Sequence, residues 1–171
     1  ELGELVYPIL YNTGRFADDA YQGREFADCA EYPNINKLYR YGIVEGDGNG
    51  NFSPERNITR EDAAVLIERA MEMCGMYRTA YNAEGMFIDI PVNGISDADQ
   101  ISDHARYAVA NIVNDGIMTN MGDGSFEPKG ELRVEQAVVI AYRFYELLPR
   151  LIRPDNDGLD SAEEQVIQSY E

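Results

Sequence analysis

The chain has 171 residues and 19.2 kDa, with 44% apolar and 26% charged residues; that is a globular composition with room for a sizeable core, and it excludes wholesale disorder. Fourteen Lys and Arg against 31 Asp and Glu leave a formal charge of −17, which excludes general nucleic-acid binding and a basic membrane-surface helix, because both need clustered cations. No apolar run approaches the roughly 20 residues of a spanning helix, and a chain beginning at Glu1 rather than Met reads as a mature or trimmed piece, compatible with removal of a secretory signal.

Residues 1–15 form a flank in which Leu2, Leu5, Val6, Ile9 and Leu10 predict a short helix, with Pro8 counting against it. Beyond it the chain repeats itself. Gly42-Ile43 recurs as Gly116-Ile117, an offset of 74 residues, and at that offset Gly48, Gly50, Phe52 and Pro54 meet Gly122, Gly124, Phe126 and Pro128. Glu61, Ala63, Val65 and Arg69 meet Glu135, Ala137, Val139 and Arg143, with no gap needed between Ile35 and Ala70. One register held across glycines, an aromatic, a proline and charges marks a duplicated structural unit.

Each copy reads as helix, glycine-rich loop, helix. In the first, over residues 16–76, Pro33 suits a helix's first turn, Ile35, Leu38 and Tyr39 share a face, and Gly42 supplies the left-handed stop. Asp47-Gly48-Asn49-Gly50-Asn51 is a turn. Phe52 and Pro54 then lead to Thr59, an N-cap with Asp62 three residues on, ahead of Ala63, Leu66, Ile67, Ala70 and Cys74 at helical spacing until Gly75. A linker is expected over 77–86. In the second copy, over 87–149, Ser102 is the expected cap of a helix carrying Ala105, Ala108, Val109 and Ile112, stopped at Gly116. Ala137, Ile140, Ala141, Phe144 and Leu148 form the last stripe. An acidic tail over 150–171 has a cap pattern at Asp160 and Glu163 ahead of Val166, Ile167 and Tyr170. The two flanking helices read either as a third, degenerate lobe or as independent helices covering the repeat core. A lone helical hairpin buries too little to stand by itself, so the lobes should pack on each other.

The cysteines, Cys29 and Cys74, read as half-buried thiols, with a Cys29–Cys74 bridge as the alternative. Neither has a Cys or His neighbour at ligand spacing, and His104 is the one histidine, so a zinc site is excluded. Asp47, Asn49 and Asn51 have calcium-loop spacing, but Phe52 and Ile58 stand where Gly and the bidentate Glu belong, which leaves a structural turn. Asp155-Asn156-Asp157-Gly158 with Glu163-Glu164 is a better partial match, spoiled by Arg153 at the first ligand position. No metal or cofactor is expected. His104 lacks a nucleophile or orienting partner, and nothing sets Asp97 and Asp99 opposite each other at glycosidase spacing, so no catalytic role is assigned. Arg69 and Arg143 read as helix-end carbonyl partners or inter-lobe ion pairs, with a shared binding role as the alternative. The tyrosines, including Tyr39, Tyr107, Tyr142 and Tyr145, read as core or rim.

Gly42-Ile43-Val44-Glu45-Gly46, Asn51-Phe52-Ser53-Pro54 and Ile58-Thr59-Arg60-Glu61-Asp62-Ala63 resemble the S-layer homology motif, which runs as an F-x-D opening, a Trp-bearing helix, G-I-x-x-G, a G-x-F-x-P turn and T-R-x-E-x-A. The second copy is similar through Ile95-Ser96-Asp97, Gly116-Ile117, Gly124-Ser125-Phe126-Glu127-Pro128 and Glu135-Gln136-Ala137. The resemblance covers most of residues 16–148. It implies a mainly α fold, tandem helix–loop–helix repeats packed as a pseudo-symmetric bundle, in a secreted, wall- or S-layer-associated bacterial protein. It further implies non-catalytic anchoring through secondary cell-wall polysaccharide, often pyruvylated, held in grooves between lobes. The polymer-binding residues so implied are Arg60, Gly46 and Thr59, with Tyr32 as a stacking face and either Asp28 or Asp18 as the opening Asp. No tryptophan occurs, and the second copy has His104 at the Trp position, Asn120 for the glycine and Val134 for the arginine. Arg133, one residue earlier, is turned about 100° around the helix. The second lobe is therefore expected to keep the fold without the usual sugar pocket. A planar guanidinium at the first turn of a helix suits a ketal pyruvate carboxylate, so Arg60 is the expected grip, left free in the seam between lobes. The charge of −17 opposes an anionic polymer at long range, but residues 35–70 carry five bases against six acids, and local attraction survives there. The competing expectation is a degenerate scaffold for contact with envelope proteins.

Overall fold

The computed structural model describes residues 1–14, 16, 23–76 and 94–148. The expected linker, Asp18, the tail and its calcium-like loop lie outside the described residues. Among the described residues, five α-helices account for the regular structure: α1 (Leu2–Tyr11), α2 (Pro33–Arg40), α3 (Arg60–Met73), α4 (Arg106–Asn114) and α5 (Val134–Leu147), with a short 3-10 turn at Ala98–Gln100. Helix α1 packs on α2, α3 and α5, and α3 packs on α4. The expected mainly α fold of helix–loop–helix units is what forms.

Helix α1 buries Leu2, Gly3, Val6, Tyr7 and Leu10. Pro8 has no N–H for the Glu4 carbonyl one turn back. The Asn34 side chain on α2 donates to that carbonyl instead, at 3.4 Å, so the breaker is tolerated where a neighbour replaces the missing donor. Gly3 lets α2 come close, since a Cβ there would lie 2.4 Å from Ile35 Cδ1.

The two repeats end their first helices alike. The N–H of Ile43 donates to Leu38 O and that of Ile117 to Ile112 O, each at 3.0 Å, around left-handed Gly42 and Gly116. Their turns are clamped alike as well. The Asp28 carboxylate accepts from the amides of Phe52 and Ser53 at 2.9 and 2.7 Å; the Asp97 carboxylate accepts from Phe126 and Glu127 at 2.7 and 2.9 Å. Asp28 is thus the counterpart of Asp97. The clamp spans 24 residues in the first repeat and 29 in the second, so upstream of α2 and α4 the 74-residue register slips by five. Asp47 accepts from the amides of Asn49 and Asn51, a structural turn as the sequence indicates.

Ser102 departs from expectation. Helix α4 starts after Ala105 without a side-chain cap, because the Ser102 hydroxyl and amide donate across the seam to Glu61, at 2.9 and 3.0 Å. Thr59 does cap α3, accepting from the Asp62 amide at 3.2 Å. Cys29 and Cys74 are both buried and free, which corrects the bridge alternative. Burial, with the Asp28 charge beside it, pushes the Cys29 thiol up to about 11, so it stays protonated and inert.

Candidate functional site

The seam between the repeats is built on the start of α3. The first N–H groups of a helix have no intrahelical partner. Here Arg60 N donates to Gly130 O at 2.9 Å and Glu61 N to Pro128 O at 3.0 Å, while Thr59 and Glu131 form an isolated antiparallel bridge. The second repeat's turn therefore caps the first repeat's helix. Glu61, 4% exposed, accepts from Ser102 and from Lys129 of the second repeat. Burial alone would raise its carboxyl, but the Lys129 and Ser102 hydrogen bonds outweigh it and hold it below the usual range.

Arg60 is where expectation and structure part most. Its residue is 4% exposed. Its Nε donates to Phe126 O at 2.6 Å and Nη2 to Thr119 O at 2.9 Å, and Cζ lies 4.7 Å from the centre of the Phe126 ring. Burial draws its pKa down, against the upward pull of Glu127 and Asp97. The guanidinium that was to stand free in the seam pins the second repeat's turn through Nε and Nη2. Val134, its counterpart on α5, is 53% exposed.

The open part of the seam is a groove of about 710 Å³. Among its lining residues are Tyr32, Gly46, Arg56, Arg69, His104 and Arg133, whereas Arg60 is absent from its wall. Gly46 is a glycine for an internal reason. A Cβ there would fall 2.4 Å from Asn51 O and 2.5 Å from Phe26 Cε1, so the Asn51 carbonyl and the Phe26 ring, stacked on Tyr39 at 4.0 Å, together require it. In the second repeat Ile95 stands in the place of Phe26, and Asn120 fits, donating to Gly94 O at 3.1 Å. The hydroxyl of Tyr32 donates to Glu55, and that bond raises its pKa. Asp28 and Tyr32 also face a shallower hollow with Ser53, Pro54 and Glu55. The Asp28 carboxyl is held low, chiefly by the Phe52 amide, which spends its oxygens on the turn.

Of the groove's cations, Arg56 and Arg133 are exposed, and Arg69 pairs with Glu45 at 3.2 Å in its own repeat. Arg143 donates to Gly116 O and Ile117 O just beyond α4, so neither repeated arginine bridges the lobes. Arg56 was invisible as a candidate, because nothing in the repeat marks it. His104 lies 3.5 Å from Asp62 across the seam. Glu61, Asp62 and His104 come within 4.8 Å of one another, but Lys129 and Ser102 already occupy Glu61, which fits an ion-paired seam better than a metal. Among the described residues no helix is long and apolar enough to cross a membrane.

Residues 27–64 and 94–133 match the family model described as S-layer homology domain. Amylopullulanase of Thermoanaerobacterium thermosulfurigenes and exoglucanase XynX of Acetivibrio thermocellus are each 36% identical over 133 residues, 75% of this chain. The surface-layer 125 kDa protein of Lysinibacillus sphaericus is 28% identical over 133 residues, 71% of this chain. The chain spans only 7%, 11% and 10% of those three proteins. No solved structure matches it significantly. Two clamped turns, two glycine-stopped helices and a seam knitted by T-R-x-D thus coincide with two family matches, and the chain carries two tandem S-layer homology motifs.

Proposed function

We propose that this chain is a non-catalytic module that attaches a protein to the bacterial cell wall by binding secondary cell-wall polysaccharide in the groove between the two motifs. The observation that carries the reading is the pair of motif matches meeting at an open groove whose wall holds Arg56, Arg69 and Arg133. Long polymer enters an open groove more readily than a closed pocket, and the exposed guanidiniums of Arg56 and Arg133, with Arg69 beside Glu45, give carboxylates of the polymer local partners despite the overall charge. Tyr32 offers an aromatic face, and the backbone at Gly46 forms part of the wall. Thr59, Asp28 and Arg60 contribute by holding the groove's walls in place. The relatives named as enzymes are long proteins of which this module matches a small part, and the surface-layer relative is consistent with envelope attachment.

Sedimentation with purified wall sacculi tests the reading. The protein is expected to pellet with intact sacculi and not with sacculi chemically stripped of their secondary polymer. The triple substitution Arg56→Ala, Arg69→Ala, Arg133→Ala should cut the pelleted fraction at least tenfold while the far-UV circular dichroism stays unchanged. Equal pelleting of the two proteins would remove the groove from the reading.

A second reading, a scaffold that contacts envelope proteins, is favoured by one observation: Arg60, the arginine expected to grip the polymer, is 4% exposed and lies over the Phe126 ring. Recovery of envelope proteins together with indifference to stripping of the sacculi would select it.

A further inference from the structure

The groove between the motifs carries an ion pair whose charge follows pH. His104, the one histidine of the chain, stands just before α4, and its Nε2 lies 3.5 Å from Asp62 Oδ1 on the first turn of α3. The two side chains are 60% and 42% exposed, and both line the groove. The second oxygen of Asp62 accepts the Thr59 hydroxyl at 2.8 Å, so Oδ1 is the one turned to the imidazole. Other charged groups around His104 have partners of their own. Glu61 on α3 comes within 4.8 Å but is held by Ser102 and by Lys129 of the turn before α5. On the segment of His104 itself, Asp103 faces Arg106 at 3.5 Å. Arg133, at the head of α5, lines the same groove and is exposed.

We propose, on the reading that this groove holds the polymer, that His104 and Asp62 make the binding pH-dependent, strongest when an imidazolium neutralises the Asp62 carboxylate. Imidazole is the side chain that changes charge between about pH 5 and 8. With His104 neutral, the Asp62 carboxylate acts alone across about 8 Å at physiological salt and repels carboxylates of the polymer. It does so on the wall where Arg56 and Arg133 attract them. With His104 protonated, the two opposite charges 3.5 Å apart cancel at any greater distance. The wall then gains one positive unit without any movement of the chain. Affinity for an anionic polymer is therefore higher in mild acid and falls as pH rises through neutrality.

Sedimentation of the full chain with intact wall sacculi at about pH 5.5 and about pH 8, at one ionic strength, tests this. The parent should reach half-maximal pelleting with about threefold less sacculi at the lower pH. His104→Gln keeps a polar side chain without a titrating charge, and at both pH values it should pellet as the parent does at the higher one. Asp62→Asn removes the repelling carboxylate, and at the higher pH it should pellet at least as well as the parent does at the lower one. Far-UV circular dichroism at both pH values checks that each protein is folded. Equal pelleting of the parent at the two pH values, a pH response that survives His104→Gln, or no gain from Asp62→Asn overturns the proposal and leaves the groove as the polymer site. A parent that pellets at neither pH overturns both.

Discussion

The two motifs share their local clamps and differ at their shared border. Asp28 and Asp97 each gather two turn amides, and Gly42 and Gly116 each end a helix in the left-handed region. These interactions close within a single motif, so each copy can keep them alone. Arg60 and Val134 occupy the same position in the repeat, yet one is buried beneath a neighbour's turn and the other faces solvent. Gly46 and Asn120 differ for a similar reason, since a side chain at Gly46 would strike Asn51 O and Phe26, whereas that of Asn120 reaches Gly94 O. A repeated position takes its residue type from what packs on it, and the two motifs have different neighbours.

The largest test of that contrast is the pair Arg60→Ala and Val134→Ala. Removing Arg60 strands the buried Phe126 carbonyl, frees the half-buried Thr119 carbonyl and strips the Phe126 ring of its cation, which should cost about 2–4 kcal/mol. Val134→Ala should stay within about 0.5 kcal/mol. Urea midpoints measure both, and equal losses would erase the distinction between the seam and the open face. Next, Gly46→Ala drives a Cβ into Asn51 O and Phe26, an overpacking cost of about 1–3 kcal/mol. If the second motif's solution is transferable, Phe26→Ile should recover part of the loss of Gly46→Asn, which thermal melts of the single and double variants would reveal.

The smallest effect concerns Asp28. Its carboxyl lies below the ordinary 3.8 in the folded protein, so its contribution is complete above the unfolded value and fades as pH falls through the folded one. Asp28→Asn should be less stable than the parent at pH 7, with the gap closing below about pH 4. A gap that persists unchanged at pH 2.5 would show that shape rather than charge holds the turn.

The helices were legible because their signals are local. Pro33 at the start of α2, the Thr59 cap and the glycine stops work through bonds spanning a few residues, and each lies where the periodicity puts it. Ser102 misled because its hydroxyl had a distant competitor, the Glu61 carboxylate 41 residues away. The site was legible only in part. Gly46 and Tyr32 do line the groove, but Gly46 is required by Asn51 O and Phe26, and Arg56 had no pattern to announce it. Arg60 looked free because its partners, Thr119 and Phe126, are backbone carbonyls 59 and 66 residues away. A carbonyl acceptor leaves no mark on sequence composition or spacing.

Sequence alone determined the duplicated unit, its helices and its turns, because propensity, capping and left-handed glycines act over a few consecutive residues. Tertiary structure decided which of two equivalent helix faces became a seam and which stayed open. That choice depends on the relative placement of segments more than 50 residues apart, where the burial of a guanidinium is offset by carbonyls and a ring supplied from another motif.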